Sequence, residues 1–268
     1  MNCRRPWCRR TERPSTPLSG PALLSFSLLA IALGGCQTLN KGSFGDFRRS
    51  LNNTSYGYTL VADPTGTAPT AMVERFEVQP GDCASSPQWS DCDNDRERSE
   101  LTGSKDNHRG KSYWYGWSMF VPHDYPNVCP TKTALGQFHQ TNAPPAFMFQ
   151  NSCGGLWIDR NFGASASVTK LIEAADLRGR WHQIEVHAKW AKRDGFLKVF
   201  VNGAQKWSYR GKTNSSGKIY FKYGVYRSFM SRYLSKYGVD KVPAQIVYYA
   251  NVRRASTRGG LRAPRRAN

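Results

Sequence analysis

Alternation of side chains along residues 111–121 constrains this chain more than any other feature. Read with a period of two, Tyr113, Tyr115, Trp117 and Met119 fall on one face, and Trp114, Gly116, Ser118 and Phe120 on the other. Aromatic residues on both faces suit a central strand of a sheet covered by a second layer. Pro122 then ends the run. The same period returns at residues 181–190, with Ile184, Val186, Ala188 and Trp190 opposite Gln183, Glu185, His187 and Lys189. Residues 197–201 run into Asn202-Gly203, a tight-hairpin dipeptide, and residues 204–209 return. Shorter strands are expected at 58–61, 74–78, 146–149, 156–159, 167–172 and 246–252. No long amphipathic helix and no internal repeat stands out. The fold class is therefore all-β, a sandwich or jelly roll.

The N-terminus speaks to compartment. Arg4, Arg5, Arg9, Arg10 and Arg13 precede an apolar run over residues 22–33, long enough for a signal-peptide core and too short to span a bilayer. The run ends in Leu33-Gly34-Gly35-Cys36, which resembles a bacterial lipoprotein processing site. Residues 1–35 are thus expected to be a signal peptide and Cys36 the lipidated first residue. Gln37 follows where an Asp would signal inner-membrane retention, so the expectation is an exported outer-membrane lipoprotein, periplasmic or surface-facing. Residues 36–55 read as a polar tether, residues 56–252 as the folded domain, and residues 253–268 as a basic disordered tail.

Charge narrows the partners. The chain carries 38 Lys+Arg against 19 Asp+Glu, a formal +19, and loses five Arg and one Glu with residues 1–35, leaving +15. Such a protein attracts polyanions. Export argues against nucleic acid, which leaves an acidic polysaccharide and, through the anchor, the membrane; a monomer is expected.

Seven cysteines become four once Cys3 and Cys8 leave and Cys36 is acylated. Cys83, Cys92, Cys129 and Cys153 allow three pairings, of which Cys83–Cys92 with Cys129–Cys153 is favoured because both links are local. The second link is expected to pin the loop after residues 137–139. Asp91-Cys92-Asp93-Asn94-Asp95 opens like a calcium loop, but Arg96 and Thr102 stand where an EF-hand needs Gly and Glu. A disulfide-bounded acidic loop fits better, with a structural calcium as the minor alternative and no other metal or cofactor expected.

Three further stretches place polar groups on one strand face. In Tyr220-Phe221-Lys222-Tyr223-Gly224-Val225-Tyr226, the residues Tyr220, Lys222 and Tyr226 share a face opposite Phe221, Tyr223 and Val225. Arg98, Glu100 and Thr102 oppose Leu101, and Gln137 and His139 flank Phe138. Together these strands could line a groove. Arg-Ser-Glu-Leu, Gln-x-His and Tyr-Phe-Lys-x-Gly-x-Tyr, in that order, resemble the jelly-roll polysaccharide lyases of the alginate lyase type (polysaccharide lyase family 7), and their glucuronan-lyase and heparin-lyase-like relatives. The resemblance covers about residues 74–252 and implies a concanavalin A-like jelly-roll sandwich of two antiparallel sheets. The alginate enzymes usually continue with a second Arg where this chain has Thr102, so the resemblance speaks more to reaction than to substrate.

By resemblance, Arg98, Gln137, His139 and Tyr226 fall on the catalytic positions, and Glu100 and Lys222 on groove positions. Tyr220 shares their face and is a candidate to stack on sugar. The chemistry suits these residue types. Abstracting the C5 proton of a uronate builds charge beside an existing carboxylate, which a guanidinium and an amide can offset. His139 could take that proton while Tyr226 protonates the departing O4; Tyr226, beside cations, could equally be the base. The expected function is β-elimination on an alginate- or glucuronan-like polymer, leaving a C4–C5 unsaturated end. The alternative is a non-catalytic, lectin-like surface lipoprotein. A hydrolase is disfavoured because no Glu-x-Asp-x-x-Glu strand is present. His182 and His187 match nothing and read as framework residues.

Overall fold

The computed structural model describes residues 41–104, 110–162, 167–215 and 217–262. The leader, Cys36 and the start of the tether lie outside the described residues, as do residues 263–268. In chain order the first strands are β1 (Arg48–Arg49), β2 (Tyr58–Ala62), β3 (Met72–Val78), β4 (Ser85–Ser86), β5 (Trp89–Ser90) and β6 (Arg96–Thr102). Next come β7 (Ser112–Phe120), β8 (Lys132–Gln140), β9 (Ala143–Ser152), β10 (Gly155–Arg160), β11 (Ser167–Ile172) and a short helix α1 (Ala174–Leu177). The chain continues with β12 (Trp181–Lys189), β13 (Gly195–Val201), β14 (Ala204–Gly211), β15 (Ile219–Ser228), helix α2 (Met230–Tyr237) and β16 (Gln245–Ala255).

Two antiparallel sheets of seven strands form the jelly-roll sandwich. One runs β1-β6-β15-β8-β9-β10-β11 and the other β14-β13-β12-β7-β16-β3-β2. β7 is the central strand of the second sheet, as its two-faced aromatic pattern requires. Its inward set meets the first sheet directly: Tyr115 packs on Phe138 at 4.9 Å between ring centres, and Trp117 on Phe221 at 4.9 Å and Phe149 at 5.1 Å. Ile184, Val186, Ala188 and Trp190 are fully buried beside them. A side chain the size of Ile184 or Val186 contributes about 1.5–3 kcal/mol by leaving water. His182 is buried with Nε2 on the carbonyls of Asp176 and Leu177, and His187 stacks on Trp114 at 4.3 Å, so both are framework residues.

Two boundaries differ from expectation, and the reason is long-range pairing. Residues 41–55 are not a tether: Arg48 and Arg49 pair with Thr102 and Leu101 of β6, Phe44 is 2% exposed, and Lys41 ion-pairs with Glu74 at 2.6 Å. Nor do residues 253–262 form a disordered tail. β16 carries on to Ala255, Arg254 binds the Ser43 carbonyl, and Arg258 reaches Glu185 at 2.6 Å. Leu261, in the 3-10 turn Gly259–Leu261, is buried against Gly116.

Both local disulfides form, Cys83–Cys92 and Cys129–Cys153. The second does not pin the loop after residues 137–139, however. That loop is the β8–β9 turn, whereas Cys129 precedes β8 and Cys153 follows β9, so the link closes the hairpin's open end.

Candidate active site

β6, β15 and β8 lie side by side, and their registers decide what meets in the sheet. Tyr226 pairs with Arg98 across β15–β6, while Lys222 pairs with Gln137 and Tyr220 with His139 across β15–β8. The alternation read from sequence therefore brings all seven residues into one region. Arg98, Gln137, His139, Tyr220, Lys222 and Tyr226 line one cleft of about 670 Å³, and Glu100 lies buried beneath it, bonded to three of them. A β-bulge in β15 against β8, between Tyr223 and Tyr226, sets the local geometry. Gly224 makes it possible: its φ is +130°, and a Cβ there would lie 2.3 Å from the Ser99 carbonyl oxygen. Tyr249 secures the bulge from the core, its one hydroxyl proton shared between the carbonyls of Leu135 at 2.6 Å and Gly224 at 2.9 Å.

Glu100 is the hub of the cleft floor. It accepts from Gln137 Nε2 at 2.5 Å, from Lys222 Nζ at 2.7 Å and from Arg98 Nη1 at 3.2 Å. Arg98 is further held by Asp91, which takes Nε and Nη2 at 2.5 Å each, and by Ser50 Oγ at 3.2 Å. The guanidinium fork is thus occupied on every nitrogen, and its Cζ lies 4.2 Å from the centre of the Tyr226 ring. The guanidinium therefore cannot take a substrate carboxylate in a two-point grip without giving up a protein partner. The Arg98–Glu100 pair is also not a solvated surface pair, since Arg98 is 5% and Glu100 1% exposed. Arg98 and Lys222 face Asp91 and Glu100, so the formal charges cancel. Gln137 Oε1 is buried with no hydrogen-bond partner, the one such side-chain atom in the cleft among the described residues.

Burial drives the ionisation of the titrating groups apart. His139 is lowered to about 4, first by desolvation and then by the Lys222 charge. Its Nδ1 lies 2.8 Å from the Gln140 carbonyl, which can only accept, so Nδ1 carries the proton and Nε2 keeps a lone pair. The Tyr220 hydroxyl, 3.1 Å from the same Nδ1, is left to accept as well, and the two rings stack at 5.1 Å. Tyr226 is raised above its ordinary value because desolvation outweighs the opposing Arg98 charge, with Glu100 and Asp91 adding to the rise. Its hydroxyl has no hydrogen-bond partner among the described residues. Tyr220 is raised by burial and Glu100, and Lys222 is lowered by burial against the pull of Glu100.

Asp91, which the sequence marks only as the start of an acidic loop, is the strongest partner of Arg98. Its place beside Cys92 in a short acidic loop was the available signal. Its carboxylate serves Arg98 and the Trp89 indole, and no group of three His, Cys, Asp or Glu side chains that could hold a metal occurs among the described residues. Thr102 faces Arg48 of β1 across the sheet.

The chain belongs to the polysaccharide lyase family: a family model of that description matches residues 39–253. It is accordingly a lyase. Solved structures share the fold at low identity. An endo-β-1,4-glucuronan lyase from the fungus Trichoderma reesei superposes with a TM-score of 0.55 at 15% identity, covering 80% of this chain and 96% of that one. The family 7 alginate lyase A1-II′ matches at 0.55 and 17%, covering 81% and 96%. A variant of that enzyme bound to a substrate oligosaccharide matches at 0.54 and 16%, covering 81% and 94%. A search of curated proteins finds no match.

Proposed function

We propose that this lyase cleaves an anionic, uronate-containing polysaccharide by β-elimination, with His139 as base and Tyr226 as acid. The observation that carries the reading is that His139, with its Nε2 lone pair left free by the Nδ1 bond to the Gln140 carbonyl, and Tyr226 line one cleft, where burial favours a neutral imidazole and a protonated phenol. His139 Nε2 accepts the C5 proton; electrons pass from the C5–H bond into a C4–C5 double bond as the C4–O4 bond breaks. Tyr226 then delivers its proton to the leaving O4. Of the two base assignments open from sequence, burial of Tyr226 favours this one.

Gln137, Lys222 and Arg98 face the substrate carboxylate. Because Glu100 holds all three, a uronate must compete with it, and the 3.2 Å bond to Arg98 Nη1 is the longest and weakest of the set. Because the floor is charge-balanced, the uronate is held by hydrogen bonds from these donors, which strengthen as the enolate-like transition state deepens its charge. Relatives solved as glucuronan and alginate lyases make those two polymers the first to try.

Tyr226→Phe tests the reading. With alginate and glucuronan, the wild-type chain should generate ultraviolet absorbance from the new double bond. The variant should lose turnover by about 10²-fold or more while oligosaccharide affinity stays within about twofold. Undiminished turnover in the variant removes Tyr226 from the mechanism. Binding without turnover by the wild-type chain supports the lectin-like alternative.

A further inference from the structure

We propose that Trp89 and Arg96 form a separate sugar-binding position at the end of the cleft beyond Tyr226. It takes one uronate unit, the indole against the ring and the guanidinium on the carboxylate. The proposal rests on the polyuronate reading of the cleft, and concerns how the polymer is held away from the bond that breaks.

The placement follows from register. Arg96 pairs with Ser228 two positions beyond the Arg98–Tyr226 pair, on the same face of β6 and about 6.6 Å further along the strand. Arg96, Ser228 and Phe229 line the same cleft as Tyr226, by register on the side away from His139, and Trp89 lines that cleft too, tied through Asp91 to the loop whose carbonyl receives the Arg96 backbone N–H. A chain lying along β15 therefore passes from the reacting unit onto these residues.

The two arginines of β6 differ in a way that assigns them different work. Arg98 has every nitrogen engaged and two carboxylates around it. Arg96 donates Nη1 to the Asp95 carbonyl and sits over the Phe229 ring, 4.2 Å from its centre, and no carboxylate pairs with it among the described residues. The nearby Asp95 carboxylate is turned onto Ser231. Arg96 is therefore the cleft guanidinium that can take a carboxylate without displacing a protein one, and its planar fork suits that geometry.

Trp89 supplies the apolar half. It is 43% exposed, one of four large exposed apolar side chains among the described residues, and the one of the four that lines the cleft. Exposure without looseness is unusual for so large a ring. Here the indole is carried on the β4–β5 hairpin inside the Cys83–Cys92 loop, and its Nε1–H donates to Asp91 at 2.8 Å. A ring already fixed loses little conformational freedom when a sugar lies on it.

Calorimetric titration of the non-cleaving Tyr226→Phe chain with alginate and glucuronan oligosaccharides of increasing length tests the assignment. Affinity should rise at the length that first reaches Trp89. That step should shrink by about tenfold in Trp89→Ala and in Arg96→Ala, with a weaker salt dependence only in the latter. Trp89→Phe keeps a ring but loses the bond to Asp91, and should retain most of the step. A step that survives both alanine variants, or oligosaccharides that do not bind at all, overturns the proposal. A loss in Trp89→Phe equal to that in Trp89→Ala also overturns it, since the indole would then act only by steadying Asp91. Circular dichroism melts of each variant identify any that fails to fold, in which case Arg96→Gln, which removes charge with little change of shape, decides. Failure of the lyase reading shows separately, as a wild-type chain that produces no unsaturated ends.

Discussion

Asp91→Asn would convert the best-held charge in the cleft into an ill-held one. Asp91 is fully buried and gives both oxygens to Arg98 at 2.5 Å, while its Oδ1 also receives the Trp89 indole at 2.8 Å. An amide of the same shape presents at best one acceptor to that fork and turns an N–H toward a cation. Arg98, itself 5% exposed, would keep only Glu100 at 3.2 Å as a counter-charge. Removing one partner of a buried ion pair costs about 3–5 kcal/mol, because the remaining charge stays out of water. Against a total stability of about 5–15 kcal/mol this is a large fraction. At roughly 2–4 °C per kcal/mol for a domain of this size, the melting temperature should fall by roughly 6–20 °C. The assay is urea and thermal unfolding with both disulfides intact, with Asp93→Asn as control, an exposed neighbour in the same loop that should shift stability by less than about 0.5 kcal/mol. If Asp91→Asn unfolds within about 1 kcal/mol of wild type, Arg98 is not held as described, and the account of a charge-balanced floor fails with it.

Two further outcomes follow from the same groups. Because His139 acts as a neutral base lowered to about 4, kcat/KM should fall as pH drops through about 4 and not near 6.5; an acid limb centred at 6.5 refutes the assignment. The same lowering means that the unfolded chain binds a proton that the folded one does not between about 6.5 and about 4. His139 should therefore make stability decline as pH falls across that window, a slope that His139→Gln removes in pH-dependent unfolding. Gly224→Ala should cost upward of about 3 kcal/mol in denaturant titrations, since its Cβ would collide with the Ser99 carbonyl at 2.3 Å in a conformation that L-residues rarely adopt; a near-neutral change would show that the bulge can relax.

Period-two patterning carried the architecture because it reports which face of a strand is covered. β7, β12 and the Asn202-Gly203 hairpin were legible in this way, and so was the cleft face of β6, β8 and β15. What could not be read depends on partners far away in the chain. Phe44 and Lys41 look like tether residues until β15 and β3 are folded beside them, and Arg254 looks like tail until it meets Ser43, 211 positions earlier. Arg98 was legible as a cation on the cleft face, but not as one already claimed, because Asp91 reaches it only through the turn that Cys83–Cys92 closes. Helix α2 did leave a signal: Met230, Tyr233, Leu234 and Tyr237 recur at helical spacing before Gly238, whose left-handed backbone caps the end. The segment spans only eight residues and buries none of them, so its pattern is short and weak.

Lys41 binds Glu74 and the hydroxyl of Tyr223, a residue of the very strand that presents Lys222 and Tyr226. With acyl chains on Cys36, as the Leu33-Gly34-Gly35-Cys36 sequence leads one to expect, only four residues separate Cys36 from Lys41 of that clamp, at most about 18 Å of chain. The enzyme would then work berthed against the bilayer instead of ranging on a long leash, and polymer would have to come alongside the envelope to be cut.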